Sequence, residues 1–184
     1  MRNDGLVLKI DATLKNNTEK QTTLHKYDIF MNKIVMGKAS DCYYDHFVRR
    51  TFDVVRYRTT ANDLARALIR IDENEKAGKV LEKSLSELPI EYYPDSQGNI
   101  DMISLLQQTG NHQWATKTAS ILVNHHIRSL NFFIAHINQN TQSYNSALQE
   151  EVVKGQDLQQ QLKTINDTEL SNAMENHYKA IGLK

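Results

Sequence analysis

Residues 44–69 read YDHFVRRTFDVVRYRTTANDLARALI, and this stretch decides the fold. Its apolar residues recur at steps of three, four and seven, which is the period of one buried face of an α-helix. The stretch therefore predicts a long amphipathic helix, which begins after the helix stop at Gly37 and the amino-terminal cap at Ser40. The apolar stripe consists of Tyr44, Phe47, Val48, Thr51, Val54, Val55, Ala61, Leu64, Ala65, Leu68 and Ile69.

The helical period continues on both sides of this stretch. Residues 6–36 predict one long helix or two short ones. A loop is expected between Pro89 and Gly98, because proline excludes the helical conformation before it and glycine permits turns. The other predicted helices cover 74–90, about 100–108, 113 into the 140s, 144–165, and a last helix opened by a capping box of Asn166 and Glu169.

The composition supports a helical protein. Seven Gly and two Pro in 184 residues are too few for the turns of a many-stranded sandwich or barrel. We therefore expect the all-α class, as an up-and-down antiparallel helical bundle of about five or six helices. It would form a single domain over 1–184, with the main bundle in 6–140 and the C-terminal helices, as a possible interface, in 144–184.

Charge and cysteine content exclude several classes of protein. The 22 Lys and Arg balance the 22 Asp and Glu, which argues against a dedicated binder of nucleic acid or anionic membrane. Cys42 is the single cysteine, so internal disulfides and multi-cysteine zinc sites are excluded. The stretch from Met1 to Asp11 lacks the apolar core of a secretion signal, and no stretch is apolar enough to span a bilayer. We expect a cytoplasmic protein without a membrane partner.

The segment from Met102 to Gln149 contains no Asp or Glu, and its only Lys and Arg are Lys117 and Arg128. Around 121–137, apolar residues lie on every side of the predicted helix. A helix surrounded by other helices has this composition, and we favour the interpretation that it is the least exposed long element. The alternative is an interface helix that docks a second copy or another protein.

Arginines interleaved with aromatic residues suggest a nucleic-acid surface on the helix of residues 41–72. The candidate residues are Arg49, Arg56, Arg66 and Arg70. Asp53 and Asp63 are spaced to share the face of these arginines, so a solvated, salt-bridged face is the favoured interpretation. Arg58 falls on the apolar seam instead, where an unpaired charge is costly, and we expect it to be paired or to lie where the bundle opens.

No catalytic, cofactor-binding or metal-binding residue is assigned. The seven histidines show neither a Glu-x-x-His nor a His-x-x-x-His spacing. Cys42 lies near Asp41 and Asp45, whose charge raises a thiol pKa, and glycine-rich phosphate loops are missing. We expect neither enzyme activity nor a cofactor.

A narrow apolar stripe near the carboxyl end is flanked by glutamines. Such a helix needs a partner helix, either from its own bundle or from another subunit. The candidate interface residues are Leu148, Val152, Leu158, Leu162 and Ile165.

Several motifs resemble an uncharacterised family of all-helical proteins found mainly in Bacteroidetes. The resemblance covers about 6–140 and implies a duplicated antiparallel helical unit of unknown function, with no catalytic residues. Within the chain, His46–Val55 is similar to His125–Ile134, although apolar positions match by chance whenever two helices share a period. The motifs are Leu8–Ala12, Tyr27-Asp28 with Lys33-Ile34, Asp45 with Arg49-Arg50 and Phe52, and Tyr92–Asp95 with Ile100, Leu105-Leu106, Ala119, Leu130 and Phe133.

The sequence thus predicts a non-enzymatic helical interaction or scaffold protein that self-associates or binds another protein. The first alternative is a nucleic-acid-associated accessory subunit that uses the arginine-bearing helix. The second is a helical-bundle enzyme whose site has no recognisable motif.

Overall fold

The computed structural model describes residues 2–4, 7–9, 18–35, 54–94, 97–136 and 141–182. The described chain is predominantly helical, as predicted. Its seven helices, in chain order, are α1 (Glu19–Lys33), α2 (Val54–Arg70), α3 (Asn74–Glu87), α4 (Gln97–Gln108), α5 (His112–His136), α6 (Thr141–Thr164) and α7 (Thr168–Ala180). The predicted bundle had about five or six helices. Asp72 and Gly110, which take a positive φ, lie at boundaries where the sequence predicted one helix to end and the next to begin.

The amino terminus differs from its prediction. Strands β1 (Arg2–Asp4) and β2 (Val7–Lys9) pair antiparallel, with Arg2 opposite Lys9. The helix expected from residue 6 onward is therefore wrong at 7–9, and α1 begins only at Glu19.

Local capping sets two of the helix starts. The Thr18 hydroxyl accepts the amide of Gln21, and the Gln21 side chain accepts the amide of Thr18, so a complete capping box opens α1. At α7 the predicted cap is displaced by one residue. Asp167 accepts the amide of Leu170 at 3.0 Å, while Asn166 takes a left-handed backbone with φ of 55° in the turn after α6.

Helix α4 lies at the centre of the described helices. It packs against α2, α3, α5 and α6, whereas α1 packs on α2 and α3, and α7 packs on α5 and α6. Met102, Ile103, Leu105 and Leu106 of α4 are all buried. The structure thus places this short helix where contacts come from most sides.

The central position expected for 121–137 is wrong. Helix α5 buries Leu122, Val123 and Leu130 on one side but exposes Asn124 and Arg128 on the other. With 25 residues, α5 is about twice as long as the 12-residue α4 beside it. A neighbour that short cannot cover the whole of a helix that rises about 1.5 Å per residue.

The first three helices are joined by aromatic and polar contacts. The rings of Phe30 in α1 and Tyr57 in α2 stack with their centroids 5.3 Å apart. The Lys83 ammonium of α3 donates to the carbonyls of Phe30, Met31 and Ile34 at 2.7–2.9 Å. These carbonyls belong to the end of α1, where the helix itself leaves acceptors unsatisfied, so Lys83 fixes that end on the bundle.

No helix in the described part of the chain is both long and apolar enough to cross a membrane.

Candidate functional site

The outer face of α5 carries almost no charge. We use this name for the exposed residues Asn124, Arg128, Asn131, Phe132 and Ala135. Arg128 is the one charged residue among these five, and the surrounding sequence from Met102 to Gln149 has no carboxylate. Helix faces in water usually carry charged residues of both signs. This face instead has the composition of a protein-binding surface, where charge is depleted.

Phe132 is the largest apolar group on the outer face of α5. Its side chain is 50% exposed. The ring meets that of Phe133 edge-on at a centroid distance of 5.7 Å and lies 4.3 Å from the ring centroid of His136. The His136 Nδ1 donates to the Phe132 carbonyl at 2.7 Å. These contacts present a positioned aromatic ring at the carboxyl end of α5.

A cleft of about 390 Å³ lies between α5 and the loop after α3. Its apolar lining consists of Leu85, Pro89, Ile90, Tyr92, Trp114 and Ile121. Lys117 lies 5.3 Å from the centroid of the Trp114 ring, and its ammonium pairs with Glu91 at 3.3 Å. A mainly apolar lining with a few polar groups is typical of a pocket that receives an apolar group. We call it the Trp114 cleft.

The described members of the predicted nucleic-acid surface are engaged by other groups. Arg66 binds Asp63 at 3.0 Å and Asp101 at 2.7 Å. Arg70 lies 3.8 Å from Glu19 of α1. Arg56 is exposed and also has a partner, and Arg49 lies outside the described residues. The Asp63–Arg66 pair confirms the salt-bridged face expected from their spacing.

The predicted C-terminal interface lies partly in the core. Leu158 and Leu162 are 2% and 0% exposed, and they pack with the core residues of the other helices. Leu148, Val152 and Ile165 are half-buried. Of the two predicted sources of a partner helix, the chain's own bundle is therefore the one that covers Leu158 and Leu162.

Arg58 is fully buried and hydrogen-bonded, in agreement with its position on the apolar seam. Its guanidinium donates to the Ser84 hydroxyl at 3.0 Å and to the Leu88 carbonyl, both at the carboxyl end of α3. Burial lowers the pKa of Arg58 to about 10, so the group stays charged at neutral pH. The carbonyl is a favourable partner because it lies where α3 leaves acceptors unsatisfied.

A buried row of hydrogen-bonded side chains connects the last three helices. It consists of His126, Glu151 and Tyr178, and we call it the His126 chain. Because a carboxylate only accepts, His126 Nδ1 donates to Glu151 at 2.8 Å, and Nε2 forms a hydrogen bond of 2.7 Å with the Tyr178 hydroxyl. Lys154 binds the second Glu151 oxygen at 3.3 Å. Gly155 makes room for the chain, since a Cβ there would overlap the Tyr178 hydroxyl and lie 2.5 Å from His126 Nε2.

The pKa shifts of Glu151 and Tyr178 favour a structural role for the His126 chain. Burial raises the pKa of the Glu151 carboxyl, but the hydrogen bond from His126 and the charge of Lys154 outweigh it, so that pKa lies below its ordinary value. Burial and then the charge of Glu151 raise the pKa of Tyr178 to about 12. Tyr178 therefore keeps a neutral hydroxyl at physiological pH, rather than a nucleophilic phenolate.

The sequence patterns predicted neither the Trp114 cleft nor the His126 chain. One signal for the chain was available: Glu151 and Gly155 are four residues apart and so lie on one face of α6. A carboxylate one turn from a residue without a side chain, within the apolar stripe of α6, indicates a buried polar contact. Helical spacing could not predict the cleft, because its two walls come from residues 85–92 and 114–121, which belong to separate elements.

The chain matches no protein-family model, no curated protein and no solved structure. The resemblance to the helical family of Bacteroidetes stays a prediction.

Proposed function

We propose that this protein is a non-enzymatic helical interaction protein that self-associates through the outer face of α5. The observation that carries the proposal is the composition of this face, with the 50% exposed Phe132 among uncharged neighbours and a single cation. Burying such a face costs little desolvation of charge, and its apolar groups gain from leaving water.

The proposal shifts the interface from α6 to α5. Leu158 and Leu162 of α6 are covered by the chain's own core, whereas Asn124, Arg128 and Phe132 of α5 are exposed. The nucleic-acid alternative has weaker support, since Arg66 and Arg70 already pair with carboxylates at the surface. Each cation already paired in this way releases fewer counterions on binding a phosphate backbone.

The test is the oligomeric state measured over a dilution series. The face runs along one helix and is smaller than a standard interface of about 1,600 Å², so we expect association in the micromolar range. Light scattering with size-exclusion chromatography should show a dimer that dissociates on dilution. Asn124→Glu should weaken association by about tenfold or more, because a buried carboxylate is added to each copy.

A matched control is Gln156→Glu. Gln156 is an exposed amide on α6, so the change adds the same charge to a helix outside the proposed face. It should leave the dissociation constant unchanged. A wild-type chain that stays monomeric up to about 100 μM, well above the expected micromolar range, would overturn the proposal. So would a dimer that is equally sensitive to the two variants.

A further inference from the structure

Phe132 and the Trp114 cleft lie on the same side of α5. Residues 114 and 132 are separated by five helical turns at 3.6 residues per turn, which returns them to the same direction around the helix axis. Along that axis they lie about 27 Å apart. One helix thus presents an exposed aromatic ring near one end and a cleft with aromatic walls near the other.

We propose that Phe132 of a second copy of this chain occupies the Trp114 cleft. This inference rests on the proposed self-association and specifies its geometry. Two α5 helices that pack antiparallel, centred level with Val123, bring Phe132 of each copy to the level of the other copy's Trp114. Each copy then inserts one ring and receives one, which is the reciprocal contact of a closed two-fold dimer.

The chemistry of the cleft suits this occupant. Leu85, Ile90 and Ile121 provide aliphatic contacts, and Tyr92 and Trp114 provide aromatic ones. A phenyl ring bound there is partly removed from water and meets aromatic side chains, as do many interface residues that dominate binding. The ring needs no hydrogen-bond partner, so the polar groups at the cleft keep the contacts they already make.

Charge at the cleft also fits a second copy. In the antiparallel pair, Arg128 lies within about one turn of the other copy's Lys117–Glu91 pair. Glu91 is about half exposed and can accept Arg128 as a second cation, and its negative charge offsets the repulsion between Arg128 and the other copy's Lys117. The two Arg128 side chains are about 15 Å apart along the axis, so at physiological salt, where the Debye length is about 8 Å, their repulsion is largely screened.

The test uses two variants that damage opposite sides of the contact. Phe132→Ser removes the ring and leaves the cleft. Ser86→Arg places a long cationic side chain at the exposed rim of the cleft and leaves the ring. Each variant alone should raise the dimer dissociation constant by about tenfold or more. A mixture of the two variants should associate more tightly than either variant alone. In the mixed dimer, Phe132 of the Ser86→Arg copy can still enter the intact cleft of the Phe132→Ser copy.

Val153→Ser is the matched control for loss of an exposed apolar side chain. Val153 is 57% exposed on α6, and its replacement should leave the dissociation constant unchanged. If Phe132→Ser weakens association no more than Val153→Ser does, or if the mixture is no tighter than its components, the ring-in-cleft contact is overturned although self-association stands. A monomeric wild-type chain overturns both.

Trp114 gives an independent readout because it is the only tryptophan in the chain. Covering its ring should shift the emission to shorter wavelength as the wild-type concentration rises through the dissociation constant. The Phe132→Ser variant should show no shift over the same range. A dimer by light scattering whose emission does not change on dilution would place the interface away from the cleft and overturn the inference.

Discussion

Arg58 shows how one residue can join several parts of the bundle. Its guanidinium binds the end of α3 through Ser84 and Leu88, and its aliphatic stem lies against Gly98 of α4. A Cβ at Gly98 would lie 3.0 Å from Arg58 Cγ. The absence of a side chain at 98 thus lets α4 approach α2 closely.

Replacing Arg58 should be costly. Arg58→Ala leaves a cavity and removes hydrogen bonds from buried acceptors, so the free energy of unfolding should fall by about 3 kcal/mol or more. Arg58→Lys should rescue little of this loss, because an ammonium cannot reproduce the planar fork that contacts both acceptors. Urea denaturation measures both effects.

Arg66→Ala is the matched control on the same helix. Arg66 is exposed and makes surface ion pairs, which contribute at most about 1 kcal/mol. Equal losses for the Arg58 and Arg66 variants would contradict the buried position of Arg58.

Gly155 is the residue that admits the His126 chain between α6 and α7. Alanine usually stabilises a helix relative to glycine by about 1 kcal/mol. At 155 we expect the opposite sign, because the added methyl overlaps the Tyr178 hydroxyl. Gly155→Ala should therefore destabilise the protein by about 1–3 kcal/mol.

A double-mutant cycle tests the cause of that loss. In a Tyr178→Phe background the overlapping oxygen is gone, so Gly155→Ala should cost less than in the wild type. The same cost in both backgrounds would show that the hydroxyl is not the obstacle.

At the scale of elements, the His126 chain attaches α7 to α5 and α6. Since the folded-state pKa of Glu151 lies below its ordinary value of 4.5, its contribution to stability is present above that value and is lost as pH falls through the folded pKa. Glu151→Gln should lower the free energy of unfolding at pH 7 by about 1–3 kcal/mol. It should also flatten the decline in stability between about pH 5 and pH 3.

Glu150→Gln serves as the control for this pH dependence. Glu150 is the exposed neighbour on the same helix, and its replacement should leave both stability at pH 7 and the acid decline close to wild type. Parallel pH profiles for the wild type and Glu151→Gln would refute the role of the carboxylate.

Local stability should differ between α4 and the end of α5. The amides of Met102–Leu106 lie in the central helix, whereas Asn131–His136 end α5 with Asn131, Phe132 and Ala135 exposed. Hydrogen exchange should be slower in the first segment by an order of magnitude or more, because exchange there requires a larger opening. Leu106→Ala should cost about 2–5 kcal/mol. Faster exchange in 102–106 than in 131–136 would contradict the central position of α4.

At the scale of the whole molecule, α6 and α7 complete the core. Leu158, Leu162 and Met174 are buried with the residues of the earlier helices. A chain ending at residue 140 would expose the sides of α4 and α5 that α6 covers. We expect this fragment to aggregate or to lose cooperative unfolding in calorimetry, since a large contiguous apolar surface is left in water.

A chain ending at Ile165 is the control, because it keeps α6 and loses only α7. It should remain soluble, with reduced stability. A soluble, cooperatively folding fragment 1–140 would mean that the core does not need α6 and α7. The C-terminal apolar stripe would then again be a candidate interface.

The sequence by itself determined the helical class and most helix positions, because hydrophobic period and the spacing of Pro and Gly act within a few turns of chain. It also determined the Asp63–Arg66 pair and the position of Arg58 on the apolar seam, since both follow from helical geometry along one element. Only the tertiary structure decided that α4 rather than α5 is central, and that Leu158 and Leu162 are covered by their own chain. The contacts of His126 with Glu151 and of Glu91 with Lys117 are likewise seen only in the tertiary structure. Those contacts join residues from separate elements, and their formation depends on how the helices pack, which no local period encodes.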